Sequence, residues 1–494
     1  MPSFDVHAFL HQFLYDPKNP LLFNNGFFVF FFAIFISLYY GFRNNFRVKT
    51  YIFCFFSLYF FYKASGFFVV FVILSAIVDF ILSNAIYKTG KRSIKKLWLT
   101  LSIVFNLGLL FYFKYTNFFI ATSNSMFHTQ FNPLNILLPV GISFYTFENL
   151  SYTIDVYRGN FKPVTKFSEY LLFLSFFPKL VMGPIVRAHD FIPQINKPYD
   201  ITDTDFSKGF YLILSGLFKK LVISDFITLN FVNYVFDDPS LHTGLECLFA
   251  VYGYAIVIYC DFSGYSDVAI GIAKWLGFTI PPNFLSPYQS KNITEFWRRW
   301  HISLSSWLRD YLYIPLGGNR KGELRMYINL LITMLLGGLW HGASWNFVVW
   351  GALHGVALAL HKLYKTKGGN LLESYKFPNF TNAVSILITF HFVCFCWIFF
   401  KADSFNSANQ MLYQITHNFD VSAWPAFFNN YKTVLGMMLL AFLMHAIPDG
   451  FADKVVSRFK LVPLPFYIAV FFVFVLVYGY FKSAEPVMPI YLQF

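Results

Sequence analysis

The chain has 494 residues, of which 56% are hydrophobic and 13% charged, against roughly a quarter charged in an ordinary soluble domain. Its formal charge is 38 − 25 = +13, yet the basic residues sit in short clusters between apolar runs, a pattern that orients membrane helices rather than one that grips nucleic acid. Together these features exclude a soluble multidomain protein and predict one integral membrane domain over 1–494, all-α and polytopic.

Residues 1–25 lack a basic start and an evident small-residue cleavage site, so they read as an extension before a retained anchor rather than a signal peptide. A helix needs about 20 apolar residues to cross the hydrocarbon. Candidate spans are 26–42, 51–64, 66–87, 97–119, 135–152, 169–186, 209–235, 244–260, 263–279, 326–342, 343–361, 382–400, 432–449 and 464–482. Some are short or polar, so roughly 11 crossings are expected. The spans 135–152 and 169–186 carry central Pro and Gly and are expected to be broken or re-entrant. Arg43, Arg47 and Lys49, and the cluster Lys88, Lys91, Arg92, Lys95 and Lys96, are predicted cytoplasmic, which puts the N-terminus outside. Arg320, Lys321 and Arg325 mark a further cytoplasmic loop, as do Lys362, Lys365 and Lys367. The cysteines, Cys54, Cys247, Cys260, Cys394 and Cys396, show neither a disulfide framework nor metal-ligand spacing.

Polar residues within apolar runs need a reason to be there. In FFPKLVMGPIVR (176–187), Pro178, Gly183 and Pro184 should break a helix; upstream, Glu148 and Asp155 share a helical face. Lys219 and Lys220 read as snorkelling side chains at a membrane interface. In IYCDFSGYSDVAIGIAKWLGF (258–278), Asp261 and Asp267 either line a polar path or pair with a basic residue elsewhere, with Ser263 between them. The segment ITEFWRRWHISLSSWLRDYLYIPLGG (293–318) reads as an amphipathic interfacial helix, with Trp297, Trp300, His301, Leu304 and Trp307 on one stripe. That stripe accounts for the aromatics but not for His301.

The segment LLGGLWHGASWNFVVWGALHG (335–355) places His341 in an apolar stretch. Gly338 and Gly342 form a small-xxx-small pair that lets another helix approach, so His341 is expected to face protein. An imidazole with an unperturbed pKa of about 6.5 suits general-base work, and an interhelical structural bond is equally open at this level. On a continuous wheel His354 lies about 220° from His341, which marks it as structural. No phosphate loop or nucleophile elbow is present.

Taken in order, VGISFYTFENLSYTIDVYRG, FFPKLVMGPIVR, YCDFSGYSDVAIGIAKWLGF, NITEFWRRWHISLSSWLRDYLYIPLGGNR and LWHGASWNFVVWGALHG resemble the membrane-bound O-acyltransferase family, in its bacterial alginate and peptidoglycan O-acetyltransferase-like branch. The resemblance covers about 138–355, expected to be the catalytic core, and continues more weakly through FVCFCWIFFKA (392–402) and the terminal YLQF, within C-terminal helices over 356–494. It implies a ring of tilted helices around a thin core, with funnels on both faces. It makes His341 the base and His301 a second active-site residue that orients the donor or stabilises an oxyanion; Asp261, Ser263, Trp297, Trp340, Trp345 and Asn346 are the expected substrate-binding residues. Lys179 departs from the uncharged polar residue expected there.

The implied reaction moves an acyl group, in this branch acetyl, from a cytoplasmic thioester (acetyl-CoA or an acylated carrier protein) to a hydroxyl, without a metal or bound cofactor. The product is an O-acetylated cell-surface or secreted polysaccharide such as an alginate-like exopolysaccharide. The expected setting is the bacterial inner membrane, with surrounding lipids and an extracytoplasmic SGNH-type acetyltransferase as partners. D-alanyl transfer toward teichoic acid is the alternative within the family. A polysaccharide transporter is the alternative outside it, disfavoured because the polar features cluster centrally rather than in paired repeats.

Overall fold

The computed structural model describes residues 11–17, 19–23, 25–367, 378–448, 450–459, 462–482 and 487–492. The first ten residues of the N-terminal extension, and Gln493 and Phe494 of the terminal YLQF, lie outside the described residues. Among the described residues, seven helical stretches are long and apolar enough to cross a membrane: 46–88, 92–127, 244–275, 345–367, 379–401, 421–445 and 464–481. The chain groups into two compact units, 1–209 with 268–281, and 210–267 with 282–494.

The first unit begins with α1 (Gly26–Gly41), capped by the Asn25 side chain, which accepts the Phe27 N–H at 2.9 Å. α2 (Phe46–Ser65) and α3 (Val69–Lys88) have 20 residues each, about one hydrocarbon thickness. Gly66 separates them at φ +63°, and a Cβ there would lie 2.8 Å from the Tyr15 ring. The extension meets α2 through its backbone: Lys63 donates to the carbonyls of Gln12 (2.7 Å) and Leu14, and Tyr59 to that of Phe13. Lys49 is buried, with its ammonium 3.2 Å from the Lys197 carbonyl, so it does not serve as an exposed loop charge.

α4 (Arg92–Leu110) continues through a π turn to Phe127. The expected break in 135–152 is present: α5 (Ile142–Arg158) starts only after an irregular approach. So is the break in 169–186. α6 (Phe167–Ser175) stops before Pro178, and irregular chain follows Leu180. Lys179, the departure noted above, forms a buried ion pair with Glu148, whose other oxygen accepts the Val186 N–H at 3.1 Å.

The segment expected to supply spans 244–260 and 263–279 is instead one 32-residue helix, α7 (Gly244–Trp275). A reciprocal capping box starts it: Thr243 Oγ1 accepts the Glu246 N–H, and the Glu246 carboxylate accepts the Thr243 N–H at 2.9 Å. At 1.5 Å per residue it is about 48 Å long. Residues through Asp267 belong to the second unit.

Also in the second unit, the predicted amphipathic helix is two short ones, α8 (Ile293–Arg299) and α9 (Ile302–Leu308). The break falls at Trp300–His301, where His301 has φ +43°, a conformation costly for a residue with a side chain. α10 (Glu323–His341) and α11 (Trp345–Lys367) pack as an intimate pair. A Cβ at Gly338 would lie 2.2 Å from the Phe347 carbonyl oxygen, and one at Gly351 2.4 Å from that of Met334. The small-xxx-small pair therefore meets α11 as expected: Gly338 lies against Gly351 and Gly342 against the Phe347 ring, while Gly355 of α11 meets Leu331 and Met334. α12 (Pro378–Lys401), α13 (Trp424–His445) and α14 (Leu464–Phe481) complete the long helices.

Candidate active site

His341 is the last residue of α10 and is 2% exposed. The chain turns to extended backbone at Gly342, so the imidazole sits at a helix end inside the protein. Around it lie the rings of Trp340 and Trp350 (both 5.1 Å between centroids), Phe400 (5.3 Å) and Tyr491 (5.6 Å). The Tyr491 hydroxyl is 3.1 Å from His341 Nδ1.

His301 joins the same enclosure, 6.3 Å from the His341 ring and against Phe262, Trp340 and Tyr491. Its protonation pattern follows from its neighbours. Asn283 Oδ1 accepts the backbone N–H of Ser303 at 3.2 Å, which fixes that atom as the amide oxygen. His301 Nδ1, also 3.2 Å from this oxygen, must therefore carry a proton and donate it. The neutral ring then has a bare Nε2, which is buried without a hydrogen-bond partner among the described residues. In this tautomer His301 offers an acceptor. While the ring is neutral in this tautomer, Nε2 has no proton to give to an oxyanion.

The remaining expected residues divide. Trp340 lines the enclosure, as above. Asp261 is buried and bonds Lys220 with one oxygen, while the other accepts the Ile490 N–H at 3.0 Å. Asp261 and Asp267 thus both take the pairing alternative: Asp267 meets Lys219 at 2.5 Å. Lys219 and Lys220 are consequently turned inward from a π turn (Phe218–Ser224) and do not snorkel. Ser263 faces Lys219 at 3.4 Å rather than the imidazoles. Trp297 donates to His354 Nδ1 at 3.3 Å and meets the enclosure only through the Trp350 ring. Asn346 is buried and ties α11 to the end of α12 through the Ala402 carbonyl, 2.7 Å away. Trp345 is 56% exposed at the start of α11. These last four side chains hold structure or face outward. His354 belongs to α11, so the continuous wheel that set it apart from His341 does not apply; its separation comes from its place among Trp297, Trp350 and Phe296.

Sequence reasoning missed Tyr491, Asn283 and Trp350. Tyr491 is 150 residues from His341, so no local spacing links them. The only signal was the weak family likeness of the terminal YLQF.

The chain is also similar to known proteins. The model of the membrane-bound O-acyltransferase family matches residues 164–408. A peptidoglycan O-acetyltransferase from Helicobacter pylori is 38% identical over 365 residues, covering 68% of each chain. A protein named probable alginate O-acetylase AlgI, from Pseudomonas syringae, is 43% identical over 318 residues, 64% of this chain and 59% of that one, so there the match spans less than two thirds of the relative. A teichoic acid D-alanyltransferase from Bacillus subtilis is more distant, at 30% over 287 residues, 56% of this chain and 71% of the relative. With a buried imidazole enclosed by aromatic rings and set against a hydroxyl, and with relatives of this similarity, the chain belongs to the membrane-bound O-acyltransferase family.

Proposed function

We propose that this protein transfers an acetyl group from a cytoplasmic thioester to a hydroxyl held at His341, as a step in O-acetylation of a cell-surface or secreted polysaccharide. The observation that carries the reading is the hydrogen bond between the Tyr491 hydroxyl and His341 Nδ1. A phenol against an imidazole is an acceptor hydroxyl beside its base. His341 takes the phenol proton as the oxygen attacks the thioester carbonyl. The C–S bond breaks, the proton passes to the departing thiolate, and Tyr491 carries the acetyl as an ester. His301 orients the donor by accepting a hydrogen bond at Nε2. The aromatic wall restricts water and so limits wasteful thioester hydrolysis. A nucleophilic hydroxyl of an extracytoplasmic SGNH-type transferase then attacks the ester, its proton returns to the departing Tyr491 oxygen, and the acetylated transferase acetylates the polymer. Acetyl-CoA or an acylated carrier protein is the donor, and the inner membrane is the site of action.

The relatives named for acetylation are more similar than the one named for D-alanylation, which favours acetyl as the cargo. Purified protein incubated separately with labelled acetyl-CoA and with a D-alanyl carrier protein tests the choice. Label from acetyl-CoA should appear on the peptide containing Tyr491 and vanish in Tyr491→Phe. In cells, His341→Ala should abolish polymer acetylation while the protein still inserts; persistent acetylation would reject His341 as the base. Loss of polymer export rather than of acetylation would favour a transporter.

A further inference from the structure

We propose that Asp261, clamped by Lys220, is a positioning residue that seats the segment carrying Tyr491 for acyl transfer. The proposal rests on the reading of Tyr491 as acceptor.

Asp261 is 1% exposed and Lys220 3%. Lys220 also lies 2.8 Å from Asp225, so one ammonium serves two carboxyl groups. A buried carboxylate that shares its counter-ion calls for another donor. Ile490 supplies it, through a backbone N–H 3.0 Å from the second Asp261 oxygen. That amide belongs to the residue just before Tyr491, and successive Cα atoms lie about 3.8 Å apart. Fixing the amide therefore fixes the base of the tyrosine, while ring contacts with Phe262 (4.5 Å) and His341 (5.6 Å) set its tilt.

The segment is not fully packed elsewhere. Val487, Met488 and Ile490 border a cavity of about 140 Å³ whose other walls include Asp261, Tyr254 and Asp403. The buried Tyr254 hydroxyl has no hydrogen-bond partner among the described residues. With open space beside the segment, the hydrogen bond that Asp261 accepts from Ile490 is a directional tether on its backbone. The tether can hold because Asp261 is itself immobile, on a long helix and gripped by a lysine from a π turn, a local widening often found at functional sites.

Two changes act on the tether from opposite sides: Asp261→Asn takes away the charge and one of the two acceptor oxygens, and Ile490→Pro takes away the donor. Ile490→Pro leaves the buried charges paired, so it carries the test alone if Asp261→Asn does not fold. Ile490→Ala keeps the N–H and controls for the lost side chain. The full-length protein is reacted with labelled acetyl-CoA, and acetyl on the Tyr491 peptide is followed by mass spectrometry. Amide hydrogen exchange across 487–492 is measured in parallel.

Asp261→Asn and Ile490→Pro should each slow acetylation at saturating donor by about tenfold or more, as expected for a hydrogen bond to a charged group. The donor concentration for half-maximal rate should not move, and exchange of the segment should quicken. Ile490→Ala should stay within about threefold of wild type. The double variant should be no slower than the slower single one, because both act on one interaction. Wild-type rates in Asp261→Asn and Ile490→Pro overturn the proposal, as do rate losses that multiply in the double variant. Unlabelled Tyr491 in the wild type would sink the acceptor reading and this proposal with it; labelled Tyr491 with unchanged variant rates sinks the tether alone.

Discussion

The two units offer contrasting examples of buried polar groups. In the first, Asp79 is fully buried and accepts from Ser102, from Asn106 at 2.6 Å and from Thr153 at 3.1 Å. Asn106 in turn accepts from Asn149, which accepts from Tyr170 at 2.5 Å. Each of these groups is occupied by another. In the second unit, His301 Nε2, Trp350 Nε1 and His354 Nε2 are buried without hydrogen-bond partners among the described residues. The first unit has unpaired hydroxyls of its own, on Ser75 and Tyr145, but among its described residues no such imidazole. A satisfied network fixes helices to one another; unspent nitrogens around a histidine leave room for a substrate to supply the missing partners.

The sharpest way to test that contrast is to remove the base. His341→Gln should lower acyl transfer by about 1,000-fold, the scale of general-base catalysis, without lowering the thermal unfolding midpoint by more than about 2 °C. Asp79→Leu should do the reverse. It strands several buried donors and should cost about 3 kcal/mol of stability, while transfer per folded molecule stays within about twofold. Unfolding in detergent and activity normalised to folded protein separate the two; an Asp79→Leu protein that is stable but inactive would erase the distinction. Next in size, Asn283→Ala frees His301 Nδ1 and lets the ring change tautomer. Transfer should fall about tenfold, about 1.4 kcal/mol of barrier, and Asn283→Asp, which keeps an acceptor, should recover part of it.

Much of this was legible before the fold was known, wherever the signal was local. The pair Gly338 and Gly342 announced a close helix approach because its four-residue spacing is itself the contact surface. Pro178 and Gly183 announced broken helices for the same kind of reason. The helix break at Trp300–His301 was not legible, since apolar periodicity runs straight through it and only the tertiary bonds of Asn283 hold His301 at positive φ. The lysines were misplaced because snorkelling and buried pairing have the same local signature. What decides between them is whether Asp261 and Asp267 lie opposite, which the π turn arranges. Tyr491 joins the site only through the folded chain.

The smallest effect tests a residue that family likeness placed with the substrate. Trp297 donates to His354 Nδ1 at 3.3 Å, so in the neutral ring the proton of His354 sits on Nε2. Trp297→Phe keeps the ring contact with Trp350 and removes the donor, which leaves one more buried acceptor unmet. The cost should be about 1 kcal/mol of stability, and transfer should stay within about twofold because Trp350 stands between Trp297 and His341. The opposite result is equally clear. A Trp297→Phe protein that melts like the wild type but transfers acetyl ten times more slowly would put Trp297 in the donor's path. The boundary between the spent and unspent polar groups would then move outward by one ring, and His354 Nε2 would become a candidate for the donor's contacts.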